Sequence, residues 1–306
     1  MFSRTPKFPR RSALAAIGVV ALTLTGCAEN AGAASEDGLD TITAGKLTVA
    51  IQPYMPYTAM KDGQMVGLDA EILQAAAEKL DLTVEPQVTD FNGMLGGVQS
   101  GRVDVAIGGI AWTKERAEAG LFTDPPYYSP PAMAVHGNTD VKDLEDLHGK
   151  NLGTVTGYVW VKSIQAVPDA KLSSFPDANG LFADISAGRV DVGFVDPLLI
   201  SYTQAQRPDL GLVTKYLTPP TAEEVQKSPD LSYFQPYMTS FYVSKEAPKL
   251  EKAISEAVRE MYSNGEMATL IKKFGGDPDQ YLKPSPNMAG DRQGTDRPAD
   301  WEAPST

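Results

Sequence analysis

The chain of 306 residues holds one cysteine and two histidines. A single thiol excludes a disulfide framework, and so few imidazoles exclude a thiol or histidine cluster at zinc-ligand spacing. A Ser-His-Asp or Cys-His nucleophile pattern is missing as well. His136 and His148 fall in "AVHGNTD" and "DLHGK", segments that read as solvent-facing. No catalytic residue, metal or cofactor is therefore expected. Cations are also scarce: 27 Lys and Arg stand against 39 Asp and Glu, a net charge of −12. Arg4, Lys7, Arg10 and Arg11 precede residue 12, and no acid precedes Cys27, so setting those four aside takes −12 to −16 for the remainder of the chain. A surface that acidic repels phosphate backbones and argues against nucleic acid as a partner. No apolar run reaches the ~20 residues that a membrane-spanning helix needs.

What is present begins with a three-part export signal: the basic "RTPKFPRR", the apolar "ALAAIGVVALTLT" and then Gly26. The closing "LTGC" resembles the lipobox of bacterial lipoproteins, which are cut before the cysteine and acylated on its thiol. The resemblance implies a signal over residues 1–26, lipid on Cys27 and a place on the outer face of the cell membrane. An ordinary signal with a coincidental Cys is the other reading. The arginine pair at 10 and 11 matches twin-arginine export only weakly, so the general secretory route is favoured. Residues 27–40, small and acidic, read as a flexible tether. Residues 283–306, rich in Pro, Gly and Asp, read as a disordered tail in which Trp301 either docks on the body or, the favoured reading, has no task.

Between these lies a body over residues 41–282. "KLTVAIQ" reads as a strand, and "GLDAEILQAAAEKL" as a helix with Ile72, Ala76 and Leu80 on one face. "FNGMLGGVQSG" places Phe91, Leu95 and Val98 at helical spacing and ends on Gly101, a natural left-handed stop. "VDVAIGG" is then an apolar strand of the kind that helices cover on both faces. The letters "GRVDV" recur 87 positions later, at Gly188, again between a helix pattern and a strand. Each copy marks a turn into the central strand of its own sheet, so the fold class is α/β in two lobes. Asp104 and Asp191 fall inside the copies.

The stretches "GLDAEI", "SGRVDVAIGGIAWTKERAEAGLFTDPPYY", "DLHGKNLGTVTG" and "GRVDVGFVD" together resemble the bacterial extracellular solute-binding proteins of family 3. That resemblance runs over residues 45–278 and implies a type II periplasmic-binding-protein-like fold with a two-stranded hinge. Lobe 1 would comprise 41–130 and 237–282, and lobe 2 131–236, with crossings near 128–133 and 236–242. It implies a monomer that captures an amino-acid-like zwitterion between its lobes and presents it to the permease subunits of an ABC importer.

The resemblance also assigns roles. Arg116, in "TKER", sits where the family grips the ligand's α-carboxylate, a task suited to the bidentate guanidinium fork. Asp196 sits where the family receives the α-ammonium, although an Asp before Pro197 also reads as a helix cap. Gly108 and Gly109 would let backbone groups approach the ligand. Tyr54 and Tyr57 are cleft walls, with Tyr57 the preferred stacking ring. Phe91 is a wall or a core residue, and Trp112 faces the cleft or the hinge. The chain departs from the family at Ala111, usually Ser or Thr, and at "GYVW", where a small hydroxyl residue is usual. Tyr158 and Val159 would then offer backbone donors, and the rings of Tyr158 or Trp160 would face a methylated or cyclic cation, with packing of Tyr158 under the lobe an equal alternative. Lys114 and Glu115 read as solvated. A ligand-sensing domain for a separate membrane partner and an exported lyase-type enzyme are the alternative functions.

Overall fold

The computed structural model describes residues 38–285 and 288–306; the expected export signal, Cys27 and the expected tether up to residue 37 lie outside the described residues. The first lobe opens on β1 (Lys46–Ile51), whose Leu47, Val49 and Ile51 are fully buried. The hairpin β2 (Ala59–Lys61) and β3 (Gln64–Val66) precedes α1 (Leu68–Lys79), β4 (Thr83–Val88) and α2 (Phe91–Gln99). Then come β5 (Val105–Ala106), α3 (Lys114–Ala119) and β6 (Leu121–Phe122), and β7 (Tyr127–Ser129) leaves the lobe. The second lobe holds β8 (Ala132–His136), β9 (Asn151–Val155), α4 (Trp160–Gln165), β10 (Lys171–Phe175) and α5 (Ala178–Ser186). It continues with β11 (Val192–Phe194), α6 (Pro197–Gln206), β12 (Leu212–Tyr216) and α7 (Ala222–Lys227). The chain returns along β13 (Tyr237–Thr239) into β14 (Tyr242–Val243), α8 (Pro248–Ser263), α9 (Glu266–Lys273), α10 (Pro278–Tyr281) and α11 (Met288–Arg292).

The two five-stranded sheets share one plan. The first runs β4-β1-β5-β14-β6 and the second β10-β9-β11-β8-β12. In each, three parallel strands from a βαβαβ run meet an antiparallel strand that has just arrived from the other lobe. The crossing strands β7 and β13 pair with one another, Tyr128 opposite Met238. Pro86 is tolerated in β4 because that strand lies at a sheet edge.

The repeated letters do the same work twice. Gly101 and Gly188 take φ of 66° and 70° and end α2 and α5 in the left-handed region open to glycine. Asp104 accepts from Thr48 N–H on β1 at 2.8 Å, and Asp191 accepts from Asn151 N–H on β9 at 2.8 Å. Each aspartate thus ties the third strand of its sheet to the first.

Packing follows the helical periodicity. In α8, Leu250, Ile254, Val258 and Met261 are fully buried, each worth about 1.5–3 kcal/mol in water-excluded apolar surface. The C-terminal segment departs from expectation. Its composition suggested disorder, yet Trp301 is buried against Tyr128, Met238 and Met288, and its Nε1 donates to Asp124 at 3.0 Å. Arg292 is wholly buried and donates to the carbonyls of Thr123 and Phe122 at 2.8 and 2.9 Å, with Asp296 as its ion-pair partner. Tyr128 on β7 donates to the Pro304 carbonyl at 2.6 Å. Composition understated this segment because a few large groups, and not average hydropathy, dock it on the crossing strands.

Candidate functional site

The ends of the two third strands face one another across the lobes. Phe91, Gly109, Ala111 and Arg116 from the first lobe, with Tyr158, Val159, Trp160 and Asp196 from the second, enclose a cavity of about 10 Å³. That is room for roughly one water. A wider opening of about 440 Å³ continues outward, sharing Arg116, Tyr158 and Val159 and adding Gln99, Glu115, Lys162 and Tyr233.

Arg116 stands in the first turn of α3, which Thr113 caps by accepting from the Arg116 N–H at 3.0 Å. Its guanidinium donates to two carbonyls, Ala111 in its own lobe at 2.8 Å and Gly157 in the other at 3.1 Å. The charge lies 5.1 Å from the centre of the Phe91 ring. Among the described residues no carboxylate forms an ion pair with it. The side chain is half-buried at its surface, but the protein packed around it weakens hydration of the cation and draws its pKa down to about 10.

Asp196 is 2% exposed and has no cation beside it. Tyr54, in the loop after β1, donates to its Oδ2 at 2.6 Å, and Tyr237, on the crossing strand β13, donates to its Oδ1. Burial lifts the carboxyl to about 6, and the two hydroxyls hold it below what burial alone would impose. The side chain does not cap α6, although its carbonyl accepts from Ile200 N–H. The capping role suggested by the Asp-Pro letters is therefore corrected: both oxygens are turned to tyrosines.

A buried aspartate organises the opposite wall. Asp69, at the start of α1, accepts the N–H groups of Gly108 and Gly109 at 2.9 Å each and the Tyr127 hydroxyl at 2.7 Å. Desolvation raises its carboxyl to about 6 against those three donors. Gly109 has φ 71°, and a Cβ there would come within 3.0 Å of Asp196 Oδ2. Only a glycine lets the lobes approach this closely. Gln52 donates to the Tyr158 hydroxyl at 2.9 Å, and Glu115 pairs with Lys162 across the outer mouth. Glu115, expected to be merely solvated, is thus an interlobe contact.

A cation and an anion delivered by duplicated sheets to one narrow cavity suit a small dipolar solute. The profile of the bacterial extracellular solute-binding proteins, family 3, matches residues 47–277. The chain belongs to that family. Among relatives, a probable amino-acid-binding protein of Bacillus subtilis, YxeM, is 28% identical over 72% of this chain and 79% of its own. The L-cystine-binding protein TcyJ of Escherichia coli is 28% identical over 86% of this chain and 96% of its own. Among solved structures, an ancestral arginine-binding protein bound to glutamine superposes with a TM-score of 0.65 at 28% identity, over 77% of this chain and all of that one. The type II two-lobed fold is shared with them.

In this solute-binding protein the predicted residues separate into three groups. Arg116, Asp196, Phe91, Gly109, Ala111, Tyr158 and Val159 line the cavity together. Tyr54 stands beside it, bound to Asp196. Tyr57 and Gly108 do not line it, and these expectations are corrected; of its two readings Trp112 takes the hinge, packing against Tyr128 and Met238 of the crossing strands. Tyr57 is fully buried between Tyr54 and Tyr127, with ring centres 5.5 and 6.0 Å away, so it stacks on the wall and not at the cavity. The Gly108 N–H is taken by Asp69. Trp112 turns outward, its Nε1 donating to Asp296 in the C-terminal segment at 3.1 Å.

Tyr237, Asp69 and Gln52 are participants that sequence reasoning missed. Tyr237 lies 41 residues from Asp196, and no spacing rule links the two. Asp69 did stand within the family-like stretch "GLDAEI", which was the available signal.

Proposed function

We propose that the chain captures an amino acid or an amino-acid-like zwitterion between Arg116 and Asp196 and presents it to the permease of an ABC importer. Lipid on Cys27 would hold it at the outer face of the membrane. The observation that carries this reading is the pairing of a guanidinium without a carboxylate and a carboxylate without a cation on the two sides of one cavity. The α-carboxylate of a ligand would replace the carbonyls that now occupy the Arg116 fork. Its α-ammonium would replace one tyrosine hydroxyl on Asp196. Enclosure in a water-poor cleft strengthens both contacts.

The side-chain end of the ligand would meet Phe91, Tyr158 and Trp160, since the inner lining carries no charge beyond the two half-sites. That favours a neutral, methylated or cyclic side chain over a second carboxylate or an amine. Binding without catalysis is the reading for the chemistry: His136 and His148 are exposed and do not line the cavity. The testing experiment is calorimetry against the twenty L-amino acids, glycine betaine and cyclic imino acids, repeated with Arg116→Ala and Asp196→Ala. Each substitution is expected to weaken the best ligand at least tenfold. A best ligand held equally well by both variants overturns the assignment.

A further inference from the structure

Asp196 has two hydroxyl partners of different origin. Tyr54 belongs to the first lobe, so its bond exists only while the lobes are together. Tyr237 lies on the strand that crosses between them and is 6% exposed. Its ring meets Trp160 edge-on, centres 5.7 Å apart at 82°, and its backbone pairs with Ser129 of β7. Trp160 belongs to the second lobe and donates from Nε1 to the Tyr233 carbonyl at 3.1 Å, so the Tyr237 ring is packed to travel with Asp196.

The titratable groups packed against Asp196 are tyrosines and Asp69, while Arg116 lines the same cavity with its fork on the Ala111 and Gly157 carbonyls. Tyr54 and Tyr57 come from the loop after β1, Asp69 from α1 and Tyr127 from β7. Tyr158 comes from the loop after β9 and Tyr281 from α10. No cation is among them. A buried carboxylate in such company depends on hydrogen-bond donors for its charge. Tyr54 Oη also lies on the Oδ2 side, where the Gly109 backbone approaches.

We propose that Tyr237 is the positioning residue of the ammonium half-site, keeping Asp196 charged and aimed into the cavity from the crossing strand while Tyr54 comes and goes. An arriving ammonium then exchanges with the Tyr54 hydroxyl on Oδ2, and Tyr237 retains Oδ1. The ligand's part in this rests on the zwitterion reading; the action of Tyr237 on Asp196 does not.

The test is chosen to keep the two apart. In ligand-free protein, carbon-13 carboxyl titration follows Asp196 in the wild type, Tyr237→Phe and a control, Tyr262→Phe. Tyr262 is a buried tyrosine that donates to the carbonyls of Pro125 and Pro126, away from Asp196. The Asp196 midpoint, about 6 in the wild type, is expected to rise by roughly one pH unit in Tyr237→Phe and to stay in place in Tyr262→Phe. With the tightest binder from the amino-acid and betaine panel, the raised midpoint about halves the charged fraction of Asp196 at pH 7, so Tyr237→Phe should bind about twofold more weakly there. Its loss of affinity on acidification should begin at higher pH. A folded Tyr237→Phe protein with an unmoved Asp196 midpoint overturns the proposal. A wild type that binds nothing in the panel overturns the zwitterion reading, and the titration still decides the role of Tyr237.

Discussion

Tyr54 and Asp196 belong to different lobes, yet the hydroxyl of one donates to the carboxylate of the other at 2.6 Å with both side chains buried. The cleft is therefore bridged by its own polar groups at the point where a ligand's ammonium would enter. Closing and binding draw on the same oxygen, so the balance between the two is set by small differences.

Tyr54→Phe keeps the ring stack with Tyr57 and removes only the bridge. A hydrogen bond to a charged group is worth about 1.5–3 kcal/mol, so the closed-to-open ratio of ligand-free protein should fall about tenfold or more. Small-angle scattering should record a larger radius of gyration than for the wild type. Superimposable scattering curves would show that this bridge does not hold the lobes.

Gly109→Ala puts a methyl 3.0 Å from Asp196 Oδ2 and 3.3 Å from the Tyr54 ring, at a φ of 71°. The left-handed backbone costs about 1 kcal/mol, visible as a fall of about 2–4 °C in Tm. The larger effect should be on closure, with ligand affinity falling at least tenfold. Equal affinity with a lowered Tm would place the strain elsewhere than between the lobes.

Asp69 carries a pH signature in stability. Its folded-state carboxyl is raised from 3.8 to about 6, chiefly by burial, so the folded state holds a proton more readily than the unfolded chain. The stability linked to that proton is fully present below about pH 4 and is lost as pH rises through 6. The advantage of the wild type over Asp69→Asn, measured by denaturant melts, should therefore shrink from pH 4 to pH 6.5. An advantage that grows over that range would contradict the raised carboxyl.

Trp301→Ala removes the ring that packs against Tyr128 and Met238 and the donor to Asp124. A loss of roughly 3 kcal/mol is expected in chemical unfolding. Truncation of residues 288–306 should reproduce it and expose both crossing strands to hydrogen exchange. A truncated protein with wild-type stability and protection would show that the segment contributes nothing to the body.

Much of the architecture was legible because it is written in local repeats. The two "GRVDV" turns, the apolar face of α8 and the glycine stops depend on neighbours within a few residues. Two crossings, near residues 128–133 and 236–242, were expected from the family resemblance, whereas the pairing of β7 with β13 emerged from the structure. The carboxylate and guanidinium could also be named, but only through the family resemblance, since their local letters read equally well as a helix cap and a surface arginine. Tyr57 misled because an aromatic beside a cleft loop can stack on the wall or line the cavity. The choice depends on where Tyr54 and Tyr127 place their rings. The C-terminal segment misled because its few anchors are diluted among polar letters.

Chain-local pattern therefore specified two α/β units and an acidic body, while the charged residue for each side of a cleft came from the family resemblance. The pattern did so because helix and strand periods, turns and strand ends are properties of short stretches. Folding decided the company those charges keep: Tyr237 on Asp196, Asp69 beneath the glycine pair, Arg292 and Trp301 against the crossing strands. Such partners lie tens to hundreds of residues apart, and the free energy that selects them, desolvation of a buried charge set against the donors within reach, has no value until the lobes have closed around it.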